Sequence, residues 1–156
     1  MQVMSAAASR IVIVESDLNM GMLIEHILKN QGYVTFRVTD GLAAKNLADT
    51  QPPPDLVLLN LSLPFLDGNL LLSHIKRTSH GWSNTPVIVL SARSHPQDIA
   101  RALHSGAAES LGSPIHLDEM LVRVRRHAKS APTSNSVSHD GSCPDDAAKR
   151  RAAGLH

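Results

Sequence analysis

Four short polar clusters, each placed directly after an apolar run, hold the residues with chemistry to offer: Glu15-Ser16-Asp17, Asn60-Leu61-Ser62-Leu63-Pro64, Ser91-Ala92-Arg93 and Gly112-Ser113-Pro114. Glu15 and Asp17 are the carboxylates among them, and such a pair can bind a hard cation or divide acid and base roles. Catalysis by paired carboxylates also needs a nucleophile or general acid at the same point, and the other clusters contribute neither. Ser62 and Ser91 carry hydroxyls, but no base adjoins either one in its motif, so activation for nucleophilic attack lacks its partner. The nine histidines are scattered without a cysteine or carboxylate array at ligand spacing. Enzymatic activity and a resident cofactor are therefore not expected.

The apolar runs predict the elements that position these clusters. Residues 11–14, 56–59 and 87–90 are continuous Ile, Val and Leu segments of a length that suits strands buried on both faces, and Ser110-Leu111 is a weaker candidate of the same kind. Residues 34–38, Val-Thr-Phe-Arg-Val, alternate instead and predict an edge strand with one face partly wet. Helical spacing puts Met20, Leu23, Ile24, Ile27 and Leu28 on one stripe, with Gly32 as its stop. The same logic recurs in Leu42 with Leu47, in Leu71, Leu72 and Ile75, in Ile99 with Leu103, and in Leu117, Met120, Leu121 and Val124. Pro96 fits the opening turn of the fourth helix and Gly106 its end. Five alternations of strand and helix, joined by right-handed crossovers, predict a doubly wound α/β domain. In such a sheet the functional site lies outside the carboxyl ends of the strands, where all four clusters fall.

Composition limits what such a site can serve. A chain of 156 residues, 42% hydrophobic, suits one domain, here read as residues 10–129, with an N-terminal extension at 1–9. Residues 130–156 carry almost no large apolar side chain and read as a disordered tail or linker, their Lys149-Arg150-Arg151 cluster as a solvated charge run. A formal charge of +1 provides no strong field for nucleic acid or anionic lipid. Without a long apolar run, and with Cys143 lacking any partner for a disulfide, the expected setting is the cytoplasm, away from the membrane.

Over residues 10–129 the sequence resembles the receiver domain of two-component response regulators. Ile-Val-Ile-Val-Glu-Ser-Asp at 11–17 is similar to the first strand and acidic cluster of that family, and residues 54–68 follow its acceptor-strand motif nearly position for position. Thr85-Pro86-Val87-Ile88-Val89-Leu90-Ser91-Ala92 matches the fourth strand with its hydroxyl residue, and 105–114 matches the fifth. The resemblance implies a flavodoxin-like fold, a five-stranded parallel sheet in the order 2-1-3-4-5 with five helices.

It also implies what has been lost. Asn60 stands where the family has the phosphate-accepting aspartate, and a neutral amide has no comparably nucleophilic oxygen. Ser16 replaces one of the two acidic metal ligands, leaving Glu15 with Asp17 as its substitute, so the resemblance implies at most a weak, vestigial magnesium site at Glu15 and Asp17. Ser113 replaces the lysine that pairs with the phosphoryl group, and Ser110 the aromatic switch residue, so Ser91 alone remains of the switch pair. The expected function is a phosphorylation-independent module that binds a protein partner, or itself, through the fourth helix, fifth strand and fifth helix, with Arg101, Glu109, Glu119, Arg123 and Arg125 as candidate contacts. A rival reading makes the chain the regulatory part of a winged-helix transcription factor whose DNA-binding domain it lacks; either way it should not bind DNA specifically by itself.

Overall fold

The computed structural model describes residues 8–78, 81–91, 95–112 and 114–128. The tail at 130–156 and most of the extension at 1–9 lie outside the described residues, as does Ser113. Five parallel strands, β1 (Arg10–Val14), β2 (Val34–Val38), β3 (Leu56–Asn60), β4 (Val87–Ser91) and β5 (Glu109–Gly112), form one sheet in the order β2-β1-β3-β4-β5. Helices α1 (Leu18–Asn30), α2 (Gly41–Thr50), α3 (Gly68–Arg77), α4 (Pro96–His104) and α5 (Leu117–His127) alternate with them. This is the doubly wound, flavodoxin-like architecture expected from the sequence.

Alternate residues of each strand feed opposite faces, so a continuous apolar run builds two cores. Val12, Val14, Val57, Leu59, Val87 and Val89 pack beneath Ala44 and Ala48 of α2, Leu71, Leu72 and Ile75 of α3, and Ala102 of α4. Ile11, Ile13, Leu56, Leu58, Ile88 and Leu90 pack beneath Ile24 and Leu28 of α1 and Met120 and Val124 of α5. Each fully buried Leu or Ile contributes about 1.5–3 kcal/mol.

Three expected core positions turn outward: Leu23, Leu42 and Leu103 are 43%, 53% and 44% exposed. In α2 and α4 the residues against the sheet are Ala44, Ala48 and Ala102, whose small side chains let the helix backbone lie close, so a stripe drawn through the leucines selects the wrong face. The edge strand holds a comparable surprise. Thr35 and Arg37 turn toward α1, where Thr35 Oγ1 and Arg37 Nε donate to Glu25 at 3.1 and 2.9 Å, and Val34 and Phe36 are exposed.

The chain leaves the sheet cleanly at the points that matter for the site. Asp17 caps α1, its Oδ1 accepting from the backbone N–H of Asn19 at 2.9 Å and of Met20 at 3.2 Å. Asp67 caps α3 by accepting from Asn69 N at 2.7 Å. Pro96 opens α4, and Gly106 follows it at φ 114°, a left-handed turn open to glycine.

Candidate functional site

The ends of β1 and β3 lie side by side in the sheet, Val14 opposite Leu59, and bring Glu15 and Asn60 into contact. Asn60 Nδ2 donates to Glu15 Oε2 at 2.8 Å, and Asn60 Oδ1 accepts from Ser62 N at 2.8 Å. The same Glu15 oxygen accepts from Asp17 N at 3.0 Å. Glu15 is 5% exposed, so this arrangement satisfies a buried carboxylate with neutral donors. Beside it lies a cavity of about 340 Å3 whose walls include Glu15, Ser16, Asn60, Met20 and Ile115.

Asp17 lines the same cavity, with its Oδ1 engaged by the first turn of α1. That leaves Glu15 as the one acid directed at the amide of Asn60, with Ser16 half-buried nearby. Magnesium favours several hard anionic oxygens in near-octahedral array, and this donor set does not fit it. Among the described residues no group of three or more His, Cys, Asp or Glu side chains could hold a metal ion. Ser91 is buried at the end of β4, and its hydroxyl donates to the carbonyl of Leu111 at 3.0 Å, so it is committed to β5 rather than to the cavity. Ser110 is half-buried on β5.

The candidate contact residues do not form one free surface. Glu109 on β5 pairs with Arg123 and His127 of α5, and with Arg126 at 3.4 Å. Arg123 also reaches Glu119, at 2.8 Å. Arg125 points the other way and donates to Gln31 Oε1, past the end of α1, at 2.7 Å. Arg101 is exposed on α4. The structure thus joins Glu109, Glu119 and Arg123 and separates Arg125 from them.

Burial alone would raise the Glu109 carboxyl. The hydrogen bonds from His127 and Arg123, reinforced by their charges, outweigh that and hold it below the ordinary carboxylate value of 4.5. A carboxyl lowered on folding contributes stability that is complete above its unfolded value and is lost as pH falls through the lowered folded value. Glu109→Gln is therefore expected to cost about 1 kcal/mol at pH 7, with the difference from the parent protein shrinking below about pH 4.5. Urea unfolding at pH 7 and pH 3 checks this, and a pH-independent difference would refute it.

Three features escaped sequence reading. Phe65, in the loop between β3 and α3, is 79% exposed with φ 72°, and Leu66 N donates to Pro64 O at 2.8 Å around it. A bulky residue in that region costs on the order of 1–3 kcal/mol and commonly marks a working surface. Asn69, at the start of α3, is 6% exposed with no partner for its Oδ1. Both line a cleft of about 770 Å3 that runs from this loop to His95 and Asp98 at the start of α4. No local pattern signals a left-handed phenylalanine; the polar Asn69 ahead of the apolar Leu70-Leu71-Leu72 was the one available cue.

The family profile of the response regulator receiver domain matches residues 11–125. The DNA-binding dual master transcriptional regulator RpaA of Synechocystis sp. is 34% identical over 116 residues, 74% of this chain and 47% of that protein. The response regulator protein PmrA of Pseudomonas aeruginosa is 38% identical, over 74% of this chain and 51% of its own length. The chain thus spans about half the length of such curated relatives. Among solved structures, the receiver domain of sensor histidine kinase PA1611 from Pseudomonas aeruginosa PAO1, with a magnesium ion coordinated in its active-site cleft, superposes with a TM-score of 0.71 at 28% identity, covering 80% of this chain and 100% of that one. The Francisella response regulator 1452 receiver domain gives a TM-score of 0.69 at 28% identity, covering 77% of this chain and 96% of that one.

Proposed function

The chain belongs to the response regulator receiver domain family, and we propose that within it the protein is a pseudo-receiver, a signalling module that binds a protein partner or a second copy without being phosphorylated. The observation that carries this reading is the contact between Asn60 and Glu15. Where a receiver needs an anionic nucleophile, the amide offers a weakly nucleophilic oxygen that already accepts from Ser62 N, and its N–H satisfies the neighbouring acid at 2.8 Å. The engagement of Asp17 Oδ1 with the first turn of α1 and of the Ser91 hydroxyl proton with Leu111 O supports it further, since each draws hydrogen-bonding capacity away from the cavity. Output then rests on one standing conformation, because no phosphoryl group is available to favour a second. Partner binding is assigned to the face of α4, β5 and α5, where Arg101 is exposed and the Glu109, Arg123 and Glu119 network shapes the charge.

The test is direct. Incubated with an acyl phosphate and magnesium, the protein is expected to show no one-phosphate gain in intact mass. A stable gain, whether at residue 60 or at Ser62 or Ser91, ends the reading.

A second reading is favoured by the relatives themselves, which are transcriptional regulators about twice the matched length. Here the domain is the regulatory part of a longer DNA-binding protein. The size of the product made in cells separates the two: a 156-residue protein fits a stand-alone module, and one carrying a further domain fits a regulator.

A further inference from the structure

The cleft between the β3–α3 loop and the start of α4 adjoins the cavity beside Asn60, sharing Ser16 and Ser62 with it, and ends on the first turn of α4; no role proposed above uses its Phe65, Asn69 or Asp98. Its polar groups share one character. Asn69, 94% buried by its 6% exposure, holds an Oδ1 acceptor with no partner. Its Nδ2 makes only a long 3.4 Å contact to the carbonyl of Asp98. The carboxylate of Asp98 joins no ion pair among the described residues. Asp67 uses one oxygen to cap α3 and has the other to offer. Phe65, 79% exposed and with a left-handed backbone, lines the same cleft.

An unpartnered buried acceptor between two carboxylates calls for a group that carries several N–H donors and a positive charge together. A guanidinium meets both needs: its planar fork donates to more than one acceptor at once, and its face packs on an aromatic ring. An ammonium ion lacks the planar face, and an anion would meet two like charges. We propose that this cleft binds an arginine side chain presented by an exposed segment of a partner protein, with Asp98 and Asn69 as acceptors and Phe65 as the stacking surface. Occupation repairs the unpartnered oxygen of Asn69 and bridges the β3–α3 loop to α4, which gives the partner a hold on the relative placement of those two elements.

The probe is the capped pentapeptide Gly-Gly-Arg-Gly-Gly, titrated into the isotope-labelled full chain and followed by amide chemical shifts, beside a matched peptide with citrulline, which keeps the shape and loses the charge. Binding is expected to perturb residues 62–69 and 95–99 together, to weaken with added salt, and to fall on the order of tenfold with citrulline or in Asp98→Asn. Asn69→Leu should weaken binding without lowering stability, since it removes a buried acceptor rather than a satisfied one. The proposal is overturned by equal binding of the citrulline peptide, by shifts centred on another surface, by no response at millimolar peptide, or by parent-like affinity in both variants.

Discussion

Replacing Asn60 by aspartate is expected to destabilise the domain at neutral pH, by roughly 2–3 kcal/mol, although it rebuilds the family's acceptor side chain. In the parent protein the amide N–H lies 2.8 Å from Glu15 Oε2. The substitution exchanges that donor for a second carboxylate at contact distance, in a place where Glu15 is 5% exposed and water screens poorly. Among the described residues no lysine or arginine pairs with Glu15, and position 113, where the family's lysine would stand, is serine. The sign of the pH dependence follows. Crowded acids hold a proton more tightly folded than unfolded, so the native variant binds more protons and loses stability as pH rises. The deficit should be full near pH 8, shrink below about pH 5, and shrink again with magnesium, because two facing carboxylates make a better site for a hard cation than one. Thermal melts of both proteins at pH 5 and pH 8, with and without magnesium, read all three effects. A variant as stable as the parent at pH 8 in metal-free buffer would show that the Asn60 to Glu15 contact is not what settles this pocket.

A substitution one helix turn away in space should be as damaging for a different reason. A methyl group at Gly68 would lie 2.5 Å from Leu61 Cα, 2.7 Å from Leu61 O and 2.9 Å from Asn60 O. All three are backbone atoms, which cannot swing aside as a flexible side chain would. Gly68 N also donates to Leu61 O at 3.1 Å, so the start of α3 is fastened to the strand end that carries Asn60. Gly68→Ala is accordingly expected to cost about 3 kcal/mol and to displace the loop that holds Ser62 and Phe65. Gly112→Ala is the control, because a methyl group there meets nothing within 4 Å; it should change stability by less than about 0.5 kcal/mol. Urea unfolding of the two variants distinguishes lost space from a general intolerance of alanine, and similar midpoints would refute the close-approach argument.

These two sites illustrate different depths of legibility. Asn60 was visible because its neighbours form an ordered motif, Leu56 to Leu59 before it and Pro64 to Gly68 after it, which places the residue at a strand end whatever the fine geometry. The partners of Asn60 were not visible, since Glu15 lies 45 residues away and meets it only across the β1 and β3 pairing. Asp17 shows the same divide: its place beside Glu15 in the sequence suggests a metal ligand, and the structure shows its Oδ1 capping the first turn of α1.

The succession of strands and helices, and the presence of an amide at residue 60 at a strand end, were determined by the sequence alone, because side-chain periodicity of two and of 3.6 residues, together with residue type at a strand end, are local properties. Only the tertiary structure decided which helix faces meet the sheet, turning Leu42 and Leu103 outward in favour of alanines. It alone joined Glu109 to Arg123 and His127 while sending Arg125 to Gln31, and it alone exposed Phe65 in the cleft that an unpartnered Asn69 also lines. Each of these depends on how closely two separate elements approach, and that distance is set by the packing of the whole core, which no single segment of the chain encodes.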